Sequence, residues 1–233
     1  NELYAGVLAA CEFYKVDLIG GDTTSSNKGL IISVTALGYQ QKEKIAFRSG
    51  AKPGDIICVS GNLGAAYMGL QILEREKQLY LNDPTIKTDL ENQEYIIGRQ
   101  LKPEARWDII KYFQDNDIVP NAMIDISDGL ASELFHICKA SKCGVLIEEA
   151  KIPIHPDTEQ MALKFQVDPV ITALNGGEDY ELLFCIDPDN LNLIRTMDDV
   201  NIIGEIKHPD EGIKMKTTSG NLHVLKAQGW THF

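Results

Sequence analysis

The chain has 233 residues, 44% of them hydrophobic and 24% charged, and a formal net charge of −12. That length can bury a real core in one large domain or two modest ones. The acidic balance argues against a nucleic-acid or anionic-membrane surface; it suits a protein that gathers carboxylates around divalent cations, although solubility alone would also account for it.

Residues 2–15 place Leu3, Val7, Cys11 and Tyr14 at helical spacing, which predicts an amphipathic helix. Residues 16–19 read as a short strand ending in Gly20-Gly21-Asp22-Thr23-Thr24, and the branched run 30–39 reads as a buried strand. A charged connector over 40–44 suggests a boundary between a first domain, 1–44, and a second, 45–233. The second part opens on Arg48-Ser49-Gly50-Ala51-Lys52-Pro53-Gly54-Asp55, whose Pro-Gly pair is a turn signal. A strand over 56–60 follows, then Gly61-Asn62-Leu63-Gly64 and a helix to about Lys77. Residues 79–87 read as a polar loop. Helices are predicted near 89–99 and 104–114, the second with Pro103 at its start. A strand over 123–126 runs into a helix carrying Leu130, Leu134, Ile137 and Cys138. Strands at 144–148, 180–186, 201–204 and 212–217 and two short helices within 157–174 complete the chain. Strands and helices mix without strict βαβ alternation, so the fold class is α+β.

No apolar run approaches a membrane span, and the N-terminus does not look like a signal peptide. The five cysteines contain no CxxC pair and read as buried thiols of a reducing cytoplasm. The histidines show no zinc spacing. Because the chain starts at Asn1, directly on a helical pattern, it reads as a piece of a longer protein.

Four motifs could carry chemistry. Gly20-Gly21-Asp22 lets backbone approach an anion beside a carboxylate, but it is more often a plain turn. Asp125-Ile126-Ser127-Asp128-Gly129 brings two carboxylates and a hydroxyl to a helix N-terminus, where hard oxygen ligands for Mg2+ sit beside N–H groups suited to phosphate. Capping of the helix by Ser127 or Asp128 would explain one of those residues; an unpaired Asp125 on an apolar strand would remain costly. Gly176-Gly177-Glu178-Asp179-Tyr180-Glu181 crowds three acids, which a fold tends to keep apart with solvent or cations. Gly61-Asn62-Leu63-Gly64 is a possible phosphate cradle.

Taken in order, these blocks together with Arg99-Gln-Leu-Lys-Pro-Glu-Ala-Arg106 and the C-terminal Gly229-Trp-Thr-His-Phe233 resemble the thiamine-monophosphate kinases. That family lies in the superfamily of aminoimidazole ribonucleotide synthetase and selenophosphate synthetase, ATP users without a Walker A loop, and no GxxxxGK[ST] occurs here. The resemblance implies a two-domain aminoimidazole ribonucleotide synthetase-like fold with the first, ATP-binding and dimer-forming domain truncated. It implies Mg2+-dependent transfer of the ATP γ-phosphate to thiamine monophosphate in a cytoplasmic homodimer, with several Mg2+ ions. Asp22, Asp125 and Asp128 become expected metal ligands, the last two catalytic. Gly21, Asp22, Arg48, Ser127 and Tyr4 become expected ATP contacts. Glu178 and Trp230 become expected substrate contacts, although Trp230 could equally be a packed C-terminal anchor. Family members carry a longer N-terminal segment with a Gly-Asp-Asp type motif, which this sequence does not show. The rival readings are another ATP-dependent enzyme of the superfamily, such as a selenophosphate synthetase, and a nucleotide-sensing module that lost its chemistry.

Overall fold

The computed structural model describes residues 2–226, which divide into a first unit ending at Glu43 and a second beginning at Lys44. The second unit is built on one seven-stranded sheet. Its strands are β1 (Ile56–Ser60), β2 (Ala122–Asp125), β3 (Gly144–Glu148), β4 (Leu182–Ile186), β5 (Val200–Lys207), β6 (Ile213–Lys216) and β7 (Leu222–Val224), in the order β2-β4-β1-β5-β3-β6-β7. Neighbours are antiparallel except β3 and β6, which run parallel.

The central strands read as unbroken apolar runs because both faces of the sheet are covered. Side chains alternate across a strand. Ile57 and Val59 of β1 and Leu183 and Cys185 of β4 therefore enter one core, with Leu130, Leu134 and Ile137 of helix α5 (Leu130–Ser141). Cys58, Phe184 and Ile186 enter the opposite core, against Ile109 and Phe113 of α4 (Trp107–Asp115). There the Phe113 and Phe184 rings meet edge to face at 5.1 Å. A third cluster joins Met68 and Ile72 of α2 (Ala65–Asn82), Ile96 of α3 (Glu94–Leu101) and Met161 of α6 (Pro156–Lys164). Helix α7 (Pro169–Asn175) starts with Pro169 behind Asp168, whose carboxylate accepts the Val170 N–H at 2.8 Å. Cys58, Cys138, Cys143 and Cys185 are buried free thiols, and burial pushes the Cys58 thiol up to about 12.

Several sequence expectations change. Helix α2 runs on to Asn82, through the first part of the expected polar loop. Pro103 does not begin α4, which starts at Trp107 once Arg106 has been drawn into an ion-pair network. Strand β5 extends to Lys207, and β7 was not anticipated. In the first unit, α1 (Glu2–Tyr14) forms as expected, but 16–19 and 30–39 are not strands. A strand exists only as part of a hydrogen-bonded ladder, and among the described residues neither segment has one. Branched composition alone does not make a strand.

Candidate active site

Beyond the ends of β2 and β4, the chain keeps pairing. The Ile126 N–H donates to the Glu181 carbonyl at 2.7 Å, the Tyr180 N–H to the Ile126 carbonyl at 2.9 Å, and the Glu178 N–H to the Ser127 carbonyl at 2.8 Å. This zips the Asp125–Gly129 turn against the Gly177–Glu181 segment. Two glycines allow the approach. A Cβ on Gly177 (φ 71°) would lie 2.5 Å from the Ser127 carbonyl oxygen, and one on Gly129 (φ 103°) would lie 2.6 Å from that of Leu174. Two motifs read separately in the sequence are thus one structural element.

Neither Ser127 nor Asp128 caps α5. The N-cap position is Gly129. Glu133, one turn into the helix, folds back instead, and its Oε1 accepts the Asp128 N–H at 2.9 Å and the Ser127 N–H at 3.3 Å. Glu133 is buried, which raises its carboxyl above the usual range. Asp125 lies exposed at the strand end, so the desolvation argument made for it from sequence does not apply; Asp128 is half-buried. Both carboxylates are free of hydrogen bonds and ion pairs within the described structure, which leaves them available as hard oxygen donors.

The acids of the crowded block alternate between buried and exposed positions. Asp179 and Glu181 point inward, 1% and 2% exposed, while Glu178 and Tyr180 point outward. The Asp179 carboxylate accepts the Gly64 N–H at 2.8 Å and the Ala66 N–H at 3.3 Å, at the start of α2. The Gly61-Asn62-Leu63-Gly64 turn is therefore no phosphate cradle: Asp179 takes the Gly64 N–H, and carbonyls of Asp199 and Pro153 take those of Gly61 and Leu63. Glu181 accepts from the Ser60 hydroxyl at 2.6 Å, from Arg106 at 2.6 Å and from Arg99 at 2.9 Å. Arg106 also pairs with Asp108 at 2.8 Å and Asp199 at 2.9 Å. Burial opposes its charge, but Asp108 and Glu181 outweigh that and hold the guanidinium firmly protonated. The Arg99–Arg106 stretch is thus a clamp on Glu181, a role that sequence reading missed. Two arginines flanking a proline, with a glutamate on a distant apolar strand, were the available signal.

Burial raises the Asp179 carboxyl to about 6, against the pull of its two N–H bonds and Arg99. The sign follows directly. An unfolded aspartate ionises near pH 4, so between about pH 4 and 6 the unfolded chain is ionised while the folded one keeps its proton, and stability falls as pH rises. Asp179→Asn removes this dependence. The variant's unfolding free energy relative to wild type should rise by about 3 kcal/mol from pH 4 to pH 7, since one pKa unit corresponds to about 1.4 kcal/mol. Urea titrations at both pH values measure it; a difference that stays flat with pH contradicts the assignment.

Tyr180 closes the cluster. Its hydroxyl donates to Glu178 Oε2 at 3.1 Å. Burial, the Glu178 charge and the charges of Asp125 and Asp128 all raise its phenol above the ordinary range, so the three outward carboxylates act on one group. Glu178 and Tyr180 both have positive φ, 63° and 51°, uncommon for such side chains.

Arg48 is exposed, and its carbonyl receives the Ser141 hydroxyl at 3.5 Å, at the opposite end of α5 from Asp128. In the first unit, Tyr4 Oη and Thr23 Oγ1 lie 2.9 Å apart, which joins α1 to the Gly21-Asp22 loop, and Asp22 Oδ1 accepts the Thr23 N–H at 2.8 Å. Trp230 lies outside the described residues. Among the described residues no group of three or more His, Cys, Asp or Glu side chains is placed to enclose a metal ion.

Known proteins match this chain over nearly its whole length. The signature of the AIR synthase related protein C-terminal domain matches residues 52–216, and that of the N-terminal domain matches residues 1–40. The chain is 34% identical to a thiamine-monophosphate kinase of Aquifex aeolicus over 233 residues, which is 100% of this chain and 68% of the relative. It is 30% identical to that of Bacillus subtilis, covering 99% of this chain and 69% of the relative. It spans about two thirds of the length of these relatives. The solved structure of AaThiL complexed with AMPPCP and TMP superposes with a TM-score of 0.76 at 31% identity, over 99% of this chain and 67% of the other. E. coli HypE, a hydrogenase maturation protein, shares the fold alone, at 18% identity and a TM-score of 0.56 over 80% of this chain and 54% of the other. The chain belongs to the thiamine-monophosphate kinase family of the AIR synthase related proteins.

Proposed function

We propose that this chain carries the metal- and substrate-binding face of a kinase that transfers the γ-phosphate of ATP to thiamine monophosphate, giving thiamine diphosphate. The observation that carries the reading is the zipped pair of turns. Of the acids gathered there, Asp179, Glu181 and Glu133 are bound into the fold, while Asp125, Asp128 and Glu178 stay on the open side.

Mg2+ fits this donor set. It usually takes one or two protein carboxylates and completes its shell with water and substrate phosphates, so the lack of a three-residue cage does not disfavour it. Asp125 and Asp128 would hold it, and the ion would supply charge neutralisation between two anionic substrates; the family resemblance gives Asp22 a metal-binding role as well. A phosphate oxygen of thiamine monophosphate bonds to the γ-phosphorus as the bond to the bridging oxygen breaks, and ADP leaves. The acceptor's second pKa is about 6, so it is largely a dianion at neutral pH and needs no strong base. Ser127, Arg48, Gly21 and Tyr4 would contact ATP; Glu178 and Trp230 would hold the thiamine moiety, Glu178 opposite its cationic ring.

Residues 1–44 are read as belonging to an ATP-binding and dimerisation domain, and 45–233 as the C-terminal α+β domain of a cytoplasmic homodimer. No described helix is long and apolar enough to cross a membrane. A partner of nucleic acid or anionic lipid is disfavoured by the net charge of −12. Metal removal is the test. Chelation of divalent cations with EDTA should lower phosphate transfer by the full-length protein at least about a hundredfold, and Mg2+ should restore it. Transfer that persists in EDTA contradicts the role given to the aspartates.

A further inference from the structure

We infer that Tyr180 is the positioning residue of the substrate subsite: its phenol O–H fixes the carboxylate of Glu178 so that the other carboxylate oxygen faces the cationic ring of the substrate. The inference rests on the reading of Glu178 as a substrate contact, and it adds a residue to which no role has been given.

The geometry carries it. Burial alternates over residues 178–181: Glu178 and Tyr180 are exposed, and Asp179 and Glu181 are buried. The segment is pinned at each residue. The Glu178 and Tyr180 N–H groups donate to Ser127 and Ile126, and the Asp179 carbonyl accepts from Arg99 at 2.9 Å. A glutamate side chain left alone on that pinned backbone would explore many rotamers. The hydrogen bond from Tyr180 to Glu178 Oε2, at 3.1 Å, removes that freedom and leaves Oε1 for another partner. Packing alone does not call for the hydroxyl, since a phenylalanine would cover the same surface and 36% of the residue is exposed. Nor does backbone preference, because an aromatic residue at a φ of 51° sits in a region that such side chains avoid. A strained, half-exposed tyrosine whose hydroxyl grips an exposed carboxylate is better explained by what the carboxylate must meet.

The experiment uses the full-length protein and four forms: wild type, Tyr180→Phe, Glu178→Ala and the double variant. Affinity for thiamine monophosphate is read by titration calorimetry, and KM for each substrate by steady-state kinetics. Loss of one hydrogen bond predicts an affinity for thiamine monophosphate about three- to tenfold weaker in Tyr180→Phe, with the KM for ATP and the melting temperature essentially unchanged. In the Glu178→Ala background the same change should add nothing, because the hydroxyl acts only through that carboxylate. Wild-type affinity in Tyr180→Phe alone, or effects that multiply in the double variant, would overturn the inference. So would a parallel rise in both KM values with a lowered melting temperature, the mark of a merely structural residue. Wild-type affinity in Glu178→Ala overturns the underlying substrate assignment as well, which separates the two failures.

Discussion

Asp125→Asn or Asp128→Asn in the full-length protein is expected to lower kcat by on the order of 10²–10³-fold while the fold stays intact. The chemistry joins two anions, and the carboxylates that hold the neutralising charge act mainly in the transition state. The fold should tolerate the change because neither side chain is bonded into it: Asp125 is exposed, and Glu133, not Asp128, holds the start of α5. Asparagine keeps the size and loses the charge. Steady-state kinetics at saturating Mg2+, with circular dichroism as the control for folding, decide the matter. Near wild-type kcat in both variants removes these residues from the metal site.

The second large effect concerns stability. Glu181→Ala should lower the unfolding free energy by about 3–5 kcal/mol, the usual consequence of removing one partner from a buried ion pair. Glu181 is 2% exposed and accepts from Ser60, Arg99 and Arg106. Without it, two guanidinium groups of low exposure lose their shared anion, and the hydroxyl of Ser60 loses its acceptor. Arg106 keeps Asp108 and Asp199, so the loss belongs at the lower end of that range if those partners reorganise. Urea unfolding measures it. A change under about 1 kcal/mol would show that the network is worth no more than a surface pair.

Much of the sheet was legible because both-faced burial leaves a plain trace. The runs at Ile56–Ser60 and Leu182–Ile186 are apolar at every position but Ser60, as strands covered on both sides must be. The amphipathic period of α5 was equally plain. Of the candidate site, the blocks Asp125 to Gly129 and Gly176 to Glu181 were visible as residue types, but that they meet was not. Nor was the direction of each acid, because it depends on partners far along the chain. Arg99 reaches the Asp179 carbonyl across 80 residues, and Arg106 reaches Glu181 across 75. Local pattern carries no such information, so three crowded acids read as a block kept apart by solvent or cations when two of them are bound into the fold. The capping alternative fails for a similar reason. Ser127 and Asp128 are good cap residues by type, but Glu133 supplies the acceptor from within the helix. Residues 30–39 show the reverse failure, a strand-like composition with no ladder to join.

The most direct measurement of the central claim is phosphorus NMR of the full-length protein incubated with ATP, Mg2+ and thiamine monophosphate. Direct transfer predicts that the thiamine monophosphate resonance declines as the two coupled resonances of thiamine diphosphate appear, one for each ADP formed. ADP accompanied by free inorganic phosphate, with thiamine monophosphate untouched, would contradict it.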